Sequence, residues 1–326
     1  MSSALGSTDA EVVAFLATIP LLDGMPEEEL ANLAGVLRRR EVPPGEVLWN
    51  QGDDAVAMLL IVRGRVSISL HLPGERAVEV ATMGEGEVLG EIPLLDGGRH
   101  SATARVTEPT SLLSLSRADF AALISRRHPT AFTLKRRIAG VACARLRGQL
   151  GVLASSLGED GADEPALPPA ELEFCGPPNS AYVRRLATFR AFDSLALWGF
   201  LTAGRFARCP AGRTVVAEGT RSDACYLTMN GAVEKVIVRG GRRIRVGLAG
   251  PGRAFGYESL IDGGPSPVTA TTRERTLLLV LPQVQFERLF HGEDSGSHAF
   301  LDVIDRDLMA ALRQALRPQA HLAASV

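Results

Sequence analysis

The sequence predicts a mainly β chain with flanking helices, built as two β-roll or jelly-roll barrels in tandem. Three observations carry this prediction. Short apolar runs separated by glycines fill the region after Val42. Apolar residues at helical spacing flank that block on both sides. The glycines of the block then recur later in the chain at a constant offset, the mark of an internal repeat.

The first ten residues are small and polar. Glu11 to Arg40 reads as helices, with Val12, Val13, Phe15, Leu16 and Ile19 as one apolar group. After Asp23-Gly24, the run Pro26-Glu27-Glu28-Glu29 is a helix start with proline and acids in its first turn. Leu30, Leu33 and Leu37 follow at helical spacing. From Val42 the runs Val47–Trp49, Met58–Val62, Val66–Leu72 and Val78–Met83 read as short strands punctuated by Gly45, Gly52, Gly64, Gly74 and Gly86. Ser67 and Ser69 alternate with Val66, Ile68 and Leu70, as on a half-buried strand. Closely spaced strands of this kind suit an antiparallel barrel or jelly roll. Leu112–Leu115 closes the block, and Ser116 with Asp119 three residues on forms a variant capping box. A long helix then runs from His128-Pro129 to about Leu157, its stripe Leu134, Ile138, Val141, Ala142, Leu146, Leu150 and Leu153 able to cover its own barrel or to seam two subunits.

Gly158 to Ser180 is rich in Gly, Pro and acids and lacks periodicity, so it reads as a flexible linker. Beyond it the pattern returns. Gly45, Gly52 and Gly64 recur 167 residues later as Gly212, Gly219 and Gly231; Gly86, Gly90 and Gly97 recur 166 residues later as Gly252, Gly256 and Gly263. Leu16-Ala17-Thr18-Ile19 is echoed by Leu186-Ala187-Thr188-Phe189, and Phe120 and Leu123 by Phe286 and Leu289. A last helix spans about 297–316. The expected organisation is a first domain at 11–157 that includes the long helix, a linker at 158–180, and a second domain at 181–317.

Composition narrows the function. The net charge of −2 supplies no whole-chain attraction for nucleic acid or an anionic membrane surface. Only two of the 35 basic residues are lysines, Lys135 and Lys235. Cys143, Cys175, Cys209 and Cys225 have no metal-like spacing and are expected as free thiols in a reducing compartment. No signal peptide or membrane-length apolar run is read, so the expected location is the cytoplasm. No nucleophile–base set and no metal-ligand spacing occurs in a local context, so neither catalytic residues, a metal nor a cofactor is expected. Lys135-Arg136-Arg137-Ile138-Ala139, which looks like a kinase pseudosubstrate, is expected as a solvated helix face. Arg239-Gly240-Gly241-Arg242-Arg243 is expected as a hairpin tip.

The stretch Gly90–Ala104, G-E-I-P-L-L-D-G-G-R-H-S-A-T-A, holds the chemistry. Gly90 lets backbone approach a ligand closely. Glu91 to Leu95 can form one helical turn whose free N–H groups face an anion, and Pro93 within it costs little. A base at the far end of the loop would close on the same anion, while Glu91 would be able to accept bonds from sugar hydroxyls. This stretch resembles the phosphate-binding cassette of cyclic nucleotide-binding domains, as in the catabolite activator protein and the protein kinase A regulatory subunit. The resemblance extends over nearly the whole chain outside its ends and linker.

The resemblance implies a non-catalytic sensor, with Gly90, Glu91, Ile92, Arg99, His100, Ser101 and Ala102 around a cyclic nucleotide such as cAMP or cGMP. It assigns Glu91 to the ribose 2′-hydroxyl. The family's phosphate-clamping arginine falls on His100, with Arg99 one residue early, and strand alternation turns such neighbours to opposite faces. In the second half Tyr257 takes the carboxylate position after Gly256, Ser266 takes the arginine position, and Glu258 is one residue out of step. That half is expected to be a degenerate pseudo-site. The C-terminal helices of the two domains, the long helix among them, are expected to support a homodimer or a protein partner. No helix-turn-helix follows either barrel, which argues against a DNA reader. The competing reading is an interaction or scaffold module that binds no nucleotide in either half.

Overall fold

The computed structural model describes residues 9–71, 77–156, 167–239 and 242–323. The chain divides into two units, Met1–Ile138 and Ala139–Val326.

The first unit begins with α1 (Asp9–Leu16) and α2 (Glu27–Ala34), which bury Leu16, Leu30 and Leu33. Helix α2 stops at Gly35, earlier than the spacing of Leu37 suggests, because the next residues pair as a strand. That strand, β1 (Arg38–Val42), aligns Arg38 with Ser114 and Val42 with Thr110. Arg38–Arg40 are therefore strand, against the helix read from sequence; backbone pairing outweighs the local helical pattern. Next come β2 (Val47–Trp49), β3 (Ala57–Arg63), β4 (Val66–Leu70), β5 (Val78–Met83) and β6 (Val88–Leu89). Leu72 and Gly74 lie outside the described residues. Helix α3 (Glu91–Asp96) leads to β7 (Thr103–Val106), β8 (Thr110–Ser116) and α4 (Arg117–Ser125). Ser116 caps α4 as expected, its Oγ accepting from the Asp119 N–H at 3.0 Å.

These strands form two four-stranded sheets, ordered β1-β8-β3-β6 and β2-β7-β4-β5. Val42, Leu59, Ile61, Leu89 and Leu112 from one sheet meet Val66, Ala104 and Val106 from the other in one core. The expected barrel is thus a jelly-roll sandwich of two facing sheets, not a closed cylinder.

Helix α5 (Pro129–Ser156) follows. Leu134, Ile138, Ala142, Leu146, Leu150 and Leu153 are buried and Val141 is half-buried, so most of the stripe is covered within the chain. Lys135 is only 4% exposed, a correction to the solvated face expected of the basic run. Ala131, Phe132, Ala139 and Cys143 of α5 are buried as well, and at about 100° per residue they fall on the same side of the helix as the stripe.

The second unit includes α5 from Ala139 onward, so the division falls before the boundary at 157 expected from composition. Residues 157–166 of the linker lie outside the described residues. The rest is tied down. Thr214 donates its N–H to Pro168 O at 2.8 Å, and Ala170 donates to Thr214 O at 2.7 Å. Strand β9 (Glu173–Cys175) then pairs with the strand Arg205–Cys209, so this stretch is an added edge strand where aperiodicity suggested a flexible linker.

Helices α6 (Ser180–Arg185) and α7 (Ser194–Ala203) precede β10 (Arg205–Cys209), β11 (Thr214–Val216), β12 (Ala224–Asn230), β13 (Val233–Arg239), β14 (Arg242–Ala249) and β15 (Ala254–Phe255). Helix α8 (Glu258–Asp262), β16 (Thr269–Thr272), β17 (Thr276–Pro282), α9 (Gln283–His291) and α10 (Ser295–Ala323) complete the chain. The sheet orders are β15-β12-β17-β10-β9 and β11-β16-β13-β14. The expected arginine-flanked hairpin is present, with Arg239 opposite Arg242; Gly240 and Gly241 lie outside the described residues.

The repeat read from the glycines is a repeat of backbone geometry. All six glycine pairs have positive φ in both halves. At Gly64 an added Cβ would lie 2.3 Å from Thr110 Oγ1, and at Gly231 2.7 Å from Thr276 Oγ1. Those positions need both the left-handed backbone and the missing side chain.

Candidate functional site

In the first unit, β6 delivers the chain to Gly90, whose φ of 73° turns it into α3. A Cβ on Gly90 would stand 3.0 Å from Ala57 O and 3.4 Å from His100 Cε1, so the cradle closes tightly here. Glu91, directly after this turn, is 5% exposed, and Ile92 is 8% exposed. Helix α3 ends at Gly97, also left-handed, whose N–H bonds Pro93 O at 2.8 Å.

The loop that follows is held by the turn after β2. Ala55 N–H donates to Gly98 O at 3.1 Å, His100 N–H to Asp53 O at 2.9 Å, and Gly52 N–H to His100 O at 2.9 Å. This ladder sends Arg99 and His100 in opposite directions. Arg99 is turned to solvent, with Nε 3.3 Å from Asp54 Oδ1 and both side chains more than 70% exposed. Such a pair contributes at most about 1 kcal/mol. His100 points inward and is 6% exposed, its ring lying flat on Trp49 with centroids 4.0 Å apart and planes within 9°. Burial pushes its pKa below the usual imidazole value, opposed by the carboxylate of Asp53. His100 is therefore predominantly neutral at pH 7, offering one N–H donor and one acceptor, not a cation. Ser101 is exposed and Ala102 half-buried. The Ala102 carbonyl accepts from Trp49 Nε1 at 3.0 Å.

Two neighbours escaped the sequence reading. Trp49 carries both the His100 stack and the Ala102 bond, yet in sequence it is only the last apolar residue of a short strand. Arg117 reaches over the end of α3, where a Cβ on Gly97 would overlap its guanidinium. Nothing in its local sequence marks it, because α4 brings it back across twenty residues.

The second unit repeats the backbone of this cradle with other side chains. Gly256 has φ 77°, and its missing Cβ would lie 3.2 Å from Ala224 O, the counterpart of Ala57 O. Gly219 N–H donates to Ser266 O at 2.9 Å, and Ser266 N–H to Thr220 O at 2.7 Å. These are the bonds that His100 makes in the first unit, so Ser266 occupies the His100 position. Its hydroxyl is spent locally, donating to Val268 O at 2.8 Å. Tyr257 follows Gly256 where Glu91 follows Gly90, and it is fully buried. Its hydroxyl has no hydrogen-bond partner among the described residues. Burial, with the carboxylates of Glu258 and Asp307 beside it, pushes this phenol far above its usual range.

The hollow in front of this second cradle is nearly full. Leu146 and Leu150 from α5 and Ala311 from α10 face Lys235, Val246, Glu258 and Val268 across a space of about 10 Å³. That is room for about one water molecule. Helix α5 is pinned in place by Arg147, whose Nη2 lies 2.7 and 2.9 Å from the two carboxylate oxygens of Asp262 at the end of α8.

Among the described residues no group of His, Cys, Asp and Glu is placed to hold a metal ion, and no helix is long and apolar enough to cross a membrane.

Comparison with known proteins agrees with the doubled cradle. The family model described as cyclic nucleotide-binding domain matches residues 39–127 and 206–293. The chain is similar to the cyclic AMP receptor protein of Thermus thermophilus, 39% identical over 124 residues, which covers 36% of this chain and 57% of that one. It is also similar to a putative potassium channel protein of Rhodopseudomonas palustris, 34% identical over 111 residues, covering 34% of this chain and 26% of the channel. The chain thus spans under two thirds of the length of either relative. Among solved structures, a cyclic nucleotide-binding domain from Methylobacillus flagellatus is 26% identical with a TM-score of 0.40, covering 46% of this chain and 85% of that one. With matched segments in both halves, each centred on a glycine-framed cradle between two sheets, the chain belongs to the cyclic nucleotide-binding domain family and carries two such domains in tandem.

Proposed function

We propose that the protein is a non-catalytic cytoplasmic sensor whose N-terminal domain binds a cyclic nucleotide, cAMP or cGMP, while its second domain is a pseudo-site. The carrying observation is the contrast between the cradles. The first keeps a buried carboxylate, Glu91, directly after its left-handed glycine, with Ser101 and Ala102 in register. The second has Tyr257 and Ser266 at the matching positions and a hollow closed by Leu146 and Leu150. The name of the Thermus thermophilus relative favours cAMP.

In this reading Glu91 accepts the ribose hydroxyl, and Gly90 and Ile92 shape the backbone around the phosphate. His100, Ser101 and Ala102 close on it from the far side, and Arg99 adds only solvent-screened charge at the rim. A neutral His100 in place of a guanidinium forfeits a charge-assisted contact worth about 1.5–3 kcal/mol, so binding is weak. The test is calorimetry of the full chain with cAMP and cGMP. Glu91→Gln is expected to abolish the heat, and His100→Arg to tighten binding by about ten- to a hundredfold. Heat unchanged by both substitutions rules the site out.

One observation favours a second reading, a scaffold that binds no nucleotide. The buried His100–Trp49 stack stands against Gly90, where ligand backbone contact is needed. Absence of any thermal shift at millimolar cAMP or cGMP supports it. The covered stripe of α5 means that a homodimer or protein partner would engage other surfaces of the chain.

A further inference from the structure

The second domain carries a groove of about 740 Å³ that neither cradle uses, running beneath Phe174–Pro178 beside α7. Phe174, Pro177, Val183, Trp198, Leu201 and Phe206 supply its apolar walls. Two of these are aromatic rings left open to water, Trp198 at 67% and Phe174 at 47% exposure. The volume lies within the roughly 300–1,000 Å³ of small-molecule sites, which are mostly apolar with a few placed polar groups.

The one charged residue among its described lining is Arg205. Its guanidinium carbon lies 3.5 Å from the centroid of the Phe174 ring. Stacking holds the group by one face and leaves its in-plane N–H edge available as a fork for a carboxylate. Among the described residues no carboxylate forms an ion pair with Arg205. A preset cation at the wall of an otherwise apolar groove selects a ligand with an anionic head and an apolar body.

We propose that this groove binds an amphiphilic carboxylate of the fatty-acid class, its head on Arg205 and its chain along Trp198, Leu201 and Val183. The site lies outside both cradles and does not depend on nucleotide binding by either.

The full chain is titrated with dodecanoate below its micellar concentration. Trp49 and Trp198 are the only tryptophans, so Trp49→Phe leaves Trp198 as the optical reporter. Cys175 lines the groove and is the one cysteine of the four that is not buried, so protection of its thiol from a bulky reagent is an independent readout. Saturable change in Trp198 emission and protection of Cys175 are expected, with dodecanol at least about tenfold weaker and dodecyltrimethylammonium inactive. Arg205→Gln is expected to weaken dodecanoate about tenfold and leave dodecanol unchanged, the signature of one lost charge-assisted contact. Thr202→Phe, which fills the groove from an exposed position, is expected to remove binding of both. Equal affinity for dodecanoate and dodecanol, indifference to Arg205→Gln, or no response at either reporter overturns the assignment.

Discussion

Replacing Leu150 by alanine tests whether α5 is a structural plug of the second domain. Leu150 is 3% exposed and faces Lys235, Val246, Glu258 and Val268 across the nearly filled hollow. Removing its isobutyl group forfeits transfer energy and leaves a cavity, because the flanking sheet cannot collapse inward; such changes cost about 2–5 kcal/mol. The Arg147–Asp262 pair keeps the helix from following the void, which places the expected loss near ~3 kcal/mol. For a unit of this size that lowers the melting temperature by about 6–12 °C. Cys143 and Cys225 are both buried in this unit, so pulsed thiol labelling in urea reads its unfolding separately from the first domain. Val152, on the same helix but 65% exposed, is the control: Val152→Ala should stay within about 0.5 kcal/mol. Leu150→Ala is also expected to create no cAMP binding, since Tyr257 and Ser266 remain. A loss below about 1 kcal/mol, or equal effects at positions 150 and 152, would show that α5 does not seal the domain.

Three further outcomes are expected. Tyr257→Phe removes a buried hydroxyl without a partner among the described residues and should stabilise the second unit by about 1 kcal/mol, seen as a higher urea midpoint; destabilisation would mean that the hydroxyl is bonded. Gly64→Ala combines a positive φ with a Cβ placed against Thr110 and Pro109 and should cost more than about 3 kcal/mol, whereas Gly52→Ala, with the same backbone strain and open space, should cost about 1 kcal/mol; similar values by thermal melting would remove the steric argument. The depressed pKa of His100 means that below about pH 6.5 the unfolded chain binds this proton more readily than the folded one. Its contribution is therefore complete at neutral pH, declines as pH falls through that value, and levels off below the folded-state pKa. With Trp198 replaced by phenylalanine so that Trp49 alone reports, denaturant titrations across this range should show the slope when His100 is present and a shallower one in His100→Asn, and parallel slopes would contradict it.

The doubled architecture was legible in the chain because it rests on backbone conformation. A glycine that must adopt positive φ leaves a trace at its own position, and six such traces recur in register across the halves. The same local logic anticipated the short helix after Gly90 and the Ser116 cap, and alternation anticipated that Arg99 and His100 part company. What escaped depends on partners far along the chain. Arg38–Arg40 are strand because β8 lies beside them, and Lys135 is buried because the side of α5 that carries it is covered. The stretch before Ser180 is ordered because Thr214 and β10 accept it, a pairing that no local periodicity encodes. Amino-acid order by itself determined two copies of one glycine-framed sandwich and the side chains offered at each cradle. Tertiary structure alone decided that His100 is a neutral ring stacked on Trp49 and that leucines of the intervening helix close the second hollow, because burial and ring contact are set by residues distant in sequence.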